Sequence, residues 1–290
     1  MKKMGRWGTA ILLIVGACVN AKAQNTPFVD VQKDVVYGQV DGESLKLDLY
    51  QTPAAGGALR PGIVFIHGGG WSGGDKSEFA AMAKEMAERG YVAVSVNYRL
   101  APKYKFPANV EDVQRAARWL RVNGNLFKVD PMRIAAMGSS AGGHLASMLG
   151  VLEAKNGSLP DQAASSRVNC VVDYYGRMDL TLEPTSASFH DYRTDYIGKT
   201  KADALELYRE ASPIFHIDKQ TCPFLIVQGA RDGQVEPVQS QDMLAALDKA
   251  GIEVSLVLLG GQGHGFNGAG ARQAWTAAKE FLDRHLKPGK

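Results

Sequence analysis

The residues best placed for covalent chemistry are Gly138-Ser139-Ser140-Ala141-Gly142-Gly143, between an apolar run (Arg133 to Met137) and a helical stretch (Gly143 to Val151). A Gly-x-Ser-x-Gly turn between strand and helix lifts a serine hydroxyl to the C-terminal edge of a sheet, and small neighbours permit the tight turn. This spacing makes Ser140, rather than Ser139, the candidate nucleophile. The helix start that follows adds free N–H groups and a field that favours developing negative charge.

About 70 residues earlier, His67-Gly68-Gly69-Gly70-Trp71 follows the apolar run Gly62 to Ile66. Consecutive glycines let backbone N–H groups face a ligand where side chains would block its approach. With the N–H of the residue after the nucleophile, such amides hold an oxyanion, so Gly69, Gly70 and Ala141 are the candidate donors. Trp71 is the candidate substrate contact beside them. The remaining partners of a serine relay should follow in the order acid, then histidine, each in a loop after a late strand. Asp232, in Gly229 to Val235, and His264, in Gly261 to Phe266, satisfy both order and position. The carboxylate would orient the imidazole, which would take the serine proton and later deliver it to the leaving group.

The other histidines are less suited to proton transfer. His144 and His67 border the two motifs and read as supports, while His216 and His285 read as structural or exposed. His190 lies near Asp191, Tyr192 and Tyr196 and fits either a substrate wall or a solvated loop. No spacing of His, Cys and carboxylates matches a metal site, and no dinucleotide or Walker loop is present, so neither cofactor nor metal is expected.

These loops need a sheet to position them. Gly62 to His67, Val92 to Tyr98, Arg133 to Met137, Val168 to Tyr175, Phe224 to Gln228 and Val254 to Leu259 are nearly continuous apolar runs, as expected of strands buried on both faces. Lys76 to Arg89, Asn109 to Val122, Pro237 to Lys249 and Ala271 to Leu286 carry apolar residues at helical spacing. Strands alternating with helices predict an α/β domain with a mostly parallel sheet and helices on both faces. Alternation in Phe28 to Tyr37 and Leu45 to Tyr50 predicts an antiparallel pair at its start. Residues 177–203, polar and rich in aromatics, read as an insertion over one end of the sheet, within a single domain spanning 24–290.

Residues 1–23 contain Lys2, Lys3, Arg6 and Lys22, no acidic residue, and an apolar run from Thr9 to Val19 that is too short to span a bilayer. With Ala21-Lys22-Ala23 at its end, this is the pattern of a secretory signal cleaved after Ala23, which predicts a secreted or periplasmic protein. Val15-Gly16-Ala17-Cys18 offers a second route, lipidation at Cys18. The full chain carries 33 basic and 30 acidic residues, but the 267 residues after Ala23 carry 29 and 30, a formal charge of −1. Such a balance argues against nucleic acid as a partner. Export leaves Cys170 and Cys222 in an oxidising compartment, at similar depth in successive strands, where either a bridge or two buried thiols fits.

Together, His67 to Trp71, Asn97-Tyr98-Arg99-Leu100-Ala101-Pro102, Gly138 to Gly143, Asp232 and His264 resemble the α/β-hydrolase fold, in the group of hormone-sensitive-lipase-like esterases. The resemblance runs from about Val35 to Leu286 and implies an eight-stranded sheet and a serine carboxylesterase. That group usually has an acidic residue where this chain has Ser139, and a longer helical N-terminal cap. With Trp71 after the glycines, the chain is more similar to cap-poor bacterial feruloyl and acetylxylan esterases and kynurenine formamidases. The implied substrates are short or aromatic acyl esters, small or carbohydrate-linked. Two other readings share the motifs: a prolyl-oligopeptidase-type peptidase, which usually carries a large propeller, and a non-catalytic binding protein on the same fold, which usually lacks a relay residue.

Overall fold

The computed structural model describes residues 27–287 and 289, except 54–56, 156–163 and 185–189. The proposed signal and Cys18 lie outside the described residues. In chain order the elements are β1 (Asp30–Val40), β2 (Glu43–Gln51), β3 (Arg60–Ile66), α1 (Ala80–Glu88), β4 (Val92–Val96), α2 (Ala108–Val122), α3 (Gly124–Phe127), β5 (Val129–Ser139), α4 (Ala141–Val151), β6 (Cys170–Tyr174), α5 (Arg193–Ile197), α6 (Leu205–Glu210), β7 (Phe224–Gly229), α7 (Pro237–Lys249), β8 (Val254–Leu259) and α8 (Gly268–Leu286). No helix among the described residues is long and apolar enough to cross a membrane.

Eight strands form one sheet in the order β1-β2-β4-β3-β5-β6-β7-β8. β2 runs antiparallel to β1 and β4, and the other neighbours are parallel. The chain winds from β3 outward to β4 and then crosses to β5 on the other side of β3. That reversal opens a crevice at the C-terminal ends of β3 and β5, where open α/β sheets place their sites. The glycine loop leaves β3 there and Ser140 leaves β5 there.

The buried strands explain the continuous apolar runs. Val64, Ile66, Val94 and Ala136 face α2 and α4, while Ile63, Phe65, Ala93 and Met137 face α1 and α8. Every residue of β4 and β6 is buried. β8 departs from the expectation of burial on both faces: it has only β7 as neighbour, and Leu258 is 47% exposed. The described residues 27–60 form the β1–β2 pair rather than a helical cap.

Cys170 and Cys222 are both buried free thiols. Cys170 packs with Val172 in the layer toward α8, whereas Cys222 packs with Phe224 in the opposite layer. Equal depth in neighbouring strands is therefore not enough for a bridge, because the period of two sends the side chains to opposite faces.

Candidate active site

Ser140 sits at the junction of β5 and α4 with φ 52° and ψ −118°, a conformation rarely held by a non-glycine residue and costing about 1–3 kcal/mol. Its N–H donates to Tyr174 O at 2.8 Å, and its carbonyl accepts from His144 N at 3.0 Å, which hold the turn. The flanking glycines are required by contact. A Cβ at Gly138 would stand 2.2 Å from Gly142 O, and one at Gly142 would stand 2.0 Å from Ile66 O.

Two late loops complete a relay. His264 Nε2 lies 2.9 Å from Ser140 Oγ, and His264 Nδ1 lies 2.8 Å from Asp232 Oδ2. The Asp232 side chain is fully buried. Its Oδ1 accepts from the N–H groups of Gln234 and Val235, both at 2.9 Å, and its Oδ2 also accepts from Gln228 Nε2 at 3.2 Å. A carboxylate held this way fixes the ring and favours the tautomer with hydrogen on Nδ1, so Nε2 faces the serine as an acceptor.

The glycine loop bends back over the elbow. Gly69 adopts φ +102°, and its carbonyl accepts from the N–H groups of Ser72 and Gly73. A Cβ at Gly69 would be 2.3 Å from Gly73 O. No acceptor among the described residues takes the N–H of Gly69, Gly70 or Ala141. Unpaired amides beside a serine hydroxyl are what an oxyanion needs, provided they point at it.

The Asn97 to Pro102 motif clamps this loop from β4. Tyr98 Oη donates to His67 O at 3.0 Å, Ala101 N donates to Trp71 O at 2.9 Å, and Asn97 Oδ1 accepts from Lys76 N. Arg99 is buried and forks onto Asp112, with Nε and Nη2 each 2.9 Å from a carboxylate oxygen.

The supporting histidines behave as the sequence predicts. His144 is fully buried; its Nδ1 accepts from Trp71 Nε1 at 3.1 Å and its Nε2 donates to Ala211 O at 2.6 Å. Burial pushes its pKa down to about 4, so the ring stays neutral and acts as a bracket. His67 donates from Nδ1 to Gly68 O and stacks on Tyr98, with a pKa also lowered by burial. His216 Nε2 bonds Glu210 O at 2.7 Å, and His285 faces Glu253 at 3.4 Å.

Trp71 is 4% exposed, stacked on Tyr196 with ring centroids 4.4 Å apart, and forms a wall of the cleft over Ser140. The insertion supplies the facing wall: His190, Asp191, Tyr192 and Arg193 line the same cleft. His190 is an exposed part of that wall, hydrogen-bonded to Asp195 at 2.9 Å. Arg193 is buried and bound to Asp191 and Glu183.

Sequence reasoning did not reach Glu78 or Tyr175. Glu78, in the turn Lys76–Phe79, accepts from Ser139 Oγ at 2.7 Å and from Gly68 N at 3.2 Å. A carboxylate thus meets Ser139 from another element of the fold. Tyr175, at φ +44°, packs edge-on against His264 with centroids 4.8 Å apart. The one sequence signal for Glu78 was the departure at Ser139. Among the described residues, no cluster of His, Cys, Asp and Glu is arranged to hold a metal ion.

The BD-FAE family profile matches residues 47–247, a span that holds the glycine loop, the elbow and Asp232. The chain belongs to the BD-FAE family. Among curated relatives, Esterase LipC of Mycobacterium tuberculosis is 32% identical over 257 residues, covering 85% of this chain and 62% of LipC. The BD-FAE chain therefore spans about three fifths of the length of the curated relatives it first matches. Among solved structures, a thermophilic esterase of Thermogutta terrifontis superposes with a TM-score of 0.75 at 30% identity, covering 91% of this chain and 95% of that one. The truncated form of a carbohydrate esterase from gut microbiota superposes with a TM-score of 0.74 at 26% identity, covering 91% and 98%. The Thermogutta enzyme has also been solved phosphorylated by paraoxon. The sheet is that of the α/β-hydrolase fold, as the motifs implied.

Proposed function

We propose that this chain is an exported serine carboxylic-ester hydrolase that cleaves short-chain or aromatic acyl esters, carbohydrate-linked acetyl or feruloyl groups among them, through an acyl-enzyme. The observation that carries the reading is the relay Asp232–His264–Ser140, with contacts of 2.8 and 2.9 Å, near amides that have no acceptor among the described residues. In this reading His264 Nε2 takes the hydroxyl proton as Ser140 Oγ attacks the ester carbonyl carbon. The carbonyl oxygen becomes an oxyanion held by the N–H groups of Gly69, Gly70 and Ala141, each worth on the order of 3 kcal/mol in the transition state. As the tetrahedral adduct collapses, the ester C–O bond breaks and the alcohol leaves with the proton from His264. Water then attacks the acyl-enzyme by the same steps and releases the acid.

The narrow cleft between Trp71 and Tyr192, and the β1–β2 pair formed by the described residues 30–51, support short or compact acyl groups over long chains. The esterase names of the relatives support the reaction class. Replacement of Ser140 by Ala should lower kcat/KM on p-nitrophenyl acetate and butyrate by at least about a thousand-fold. Retention of most of that activity refutes the reading, and faster cleavage of an aminoacyl-prolyl anilide than of acyl esters would replace it with a peptidase. Folded protein that takes no label from a fluorophosphonate probe would point instead to a binding role. Export is tested by sequencing the N-terminus of the processed protein, which should begin at Gln24; a lipidated Cys18 would replace free export with anchoring.

A further inference from the structure

We infer that Glu78 selects the alcohol half of the ester and favours leaving groups that carry hydroxyl donors; this rests on the hydrolase reading above. The leaving oxygen must take its proton from His264 Nε2, so the alcohol lies on the side of Ser140 where His264 stands. That side is a cleft lined by Gly68 to Gly70, Glu78, Ser139, Tyr175, Tyr192, Gln234 and His264. The acyl side, with Ala141 and Trp71, lacks His264 among its lining residues and is the smaller of the two.

Among the described residues Glu78 is the one carboxylate lining the alcohol cleft, and it is exposed. Each of its oxygens takes one protein donor, Ser139 Oγ at 2.7 Å and Gly68 N at 3.2 Å. An ionised carboxylate offers about four lone-pair sites, so each oxygen keeps one for a ligand. Because both oxygens are already tethered, little side-chain freedom is lost when a ligand binds. The tether also holds the carboxylate beside the elbow, on the hydroxyl of the residue that precedes Ser140. Tyr175 and Tyr192 add aromatic surface for the C–H faces of a polyol. An ethyl or methyl alcohol would leave these acceptors unused, whereas vicinal hydroxyls would fill them.

The test compares kcat/KM for glyceryl 1-acetate with that for 2,3-dimethoxypropyl acetate, which has the same acyl group and carbon chain but no O–H. Wild-type protein should prefer the glyceryl ester. In Glu78→Gln the ratio of the two should fall about ten-fold or more, as expected for losing hydrogen bonds to a charged group. Any general damage to the elbow cancels in that ratio. An equal fall on both esters, or no wild-type preference, overturns the inference and leaves Glu78 as a support for Ser139. Wild-type protein inactive on both acetates and on p-nitrophenyl acetate refutes the hydrolase reading itself.

Discussion

Asp232→Asn tests the relay with a change of almost no volume. Asp232 Oδ1 accepts from two backbone N–H groups, so the amide oxygen of the variant will occupy that side and its NH₂ group will take the place of Oδ2. There it faces His264 Nδ1 and the Gln228 amide, which is itself a donor toward that oxygen. The NH₂ group can only donate to Nδ1, which forces the ring proton onto Nε2 and turns it toward Ser140. Nε2 then has no lone pair to accept the hydroxyl proton, and the carboxylate that would stabilise the imidazolium is gone. In the serine–histidine–aspartate template the same change lowers kcat by about ten-thousand-fold, which is about 5.5 kcal/mol of barrier. The assay is steady-state hydrolysis of p-nitrophenyl butyrate at pH 7.5, with circular dichroism to verify that the variant is folded. The fall should appear in kcat with KM little changed. A folded variant with more than a tenth of wild-type kcat would refute the assignment of Asp232 as the relay acid.

Four further outcomes follow from the same geometry. Gly142→Ala places a Cβ 2.0 Å from the Ile66 carbonyl, so the variant should lose several kcal/mol in chemical denaturation or fail to fold. His144 is held neutral with a pKa of about 4 against an ordinary value near 6.5, so its unfolded form binds more protons between those values. It therefore destabilises the fold as pH drops from about 6.5 to 4, by up to about 3 kcal/mol, and the stability difference between wild type and His144→Gln should shift by that order in urea titrations at pH 7 and 4. Asp173 behaves in the opposite sense: full burial pushes its pKa up to about 8, so the stability from its protonated form is lost as pH rises through 8, and Asp173→Asn should raise Tm more at pH 9 than at pH 5. Unreduced, denatured protein should take alkylating reagent at both Cys170 and Cys222; an intact 170–222 bridge in a peptide map contradicts the opposite-face placement.

Most of the relay was legible because its parts are local. Small residues around Ser140, three glycines after β3, and an acid and a histidine each just past an apolar run need only their neighbours to be recognised. The helices Pro237–Lys249 and the strand Val254–Leu259 were read to the residue for the same reason, since period alone marks them. What escaped was non-local. Glu78 lies in a short turn without periodicity, and its meeting with Ser139 depends on β3 and β5 being neighbours although β4 intervenes in sequence. The exposure of β8 followed from its place at the sheet edge, which a run of apolar residues does not encode. The cysteine pair looked bridgeable by depth, and only strand parity separates the two thiols.

The sequence by itself determined which residues have the chemistry of a serine relay, their order along the chain, and the alternating architecture that carries them, because glycine permissiveness, hydrophobic period and turn chemistry act over a few residues. Tertiary structure alone decided that Asp232 is fully buried with four donors, that His144 serves as a neutral bracket, that the insertion faces Trp71 across the cleft over Ser140, and that a carboxylate from another loop meets Ser139 beside the elbow. Each of these depends on which elements the sheet order brings together, and that order is set by the packing of both faces of the sheet at once.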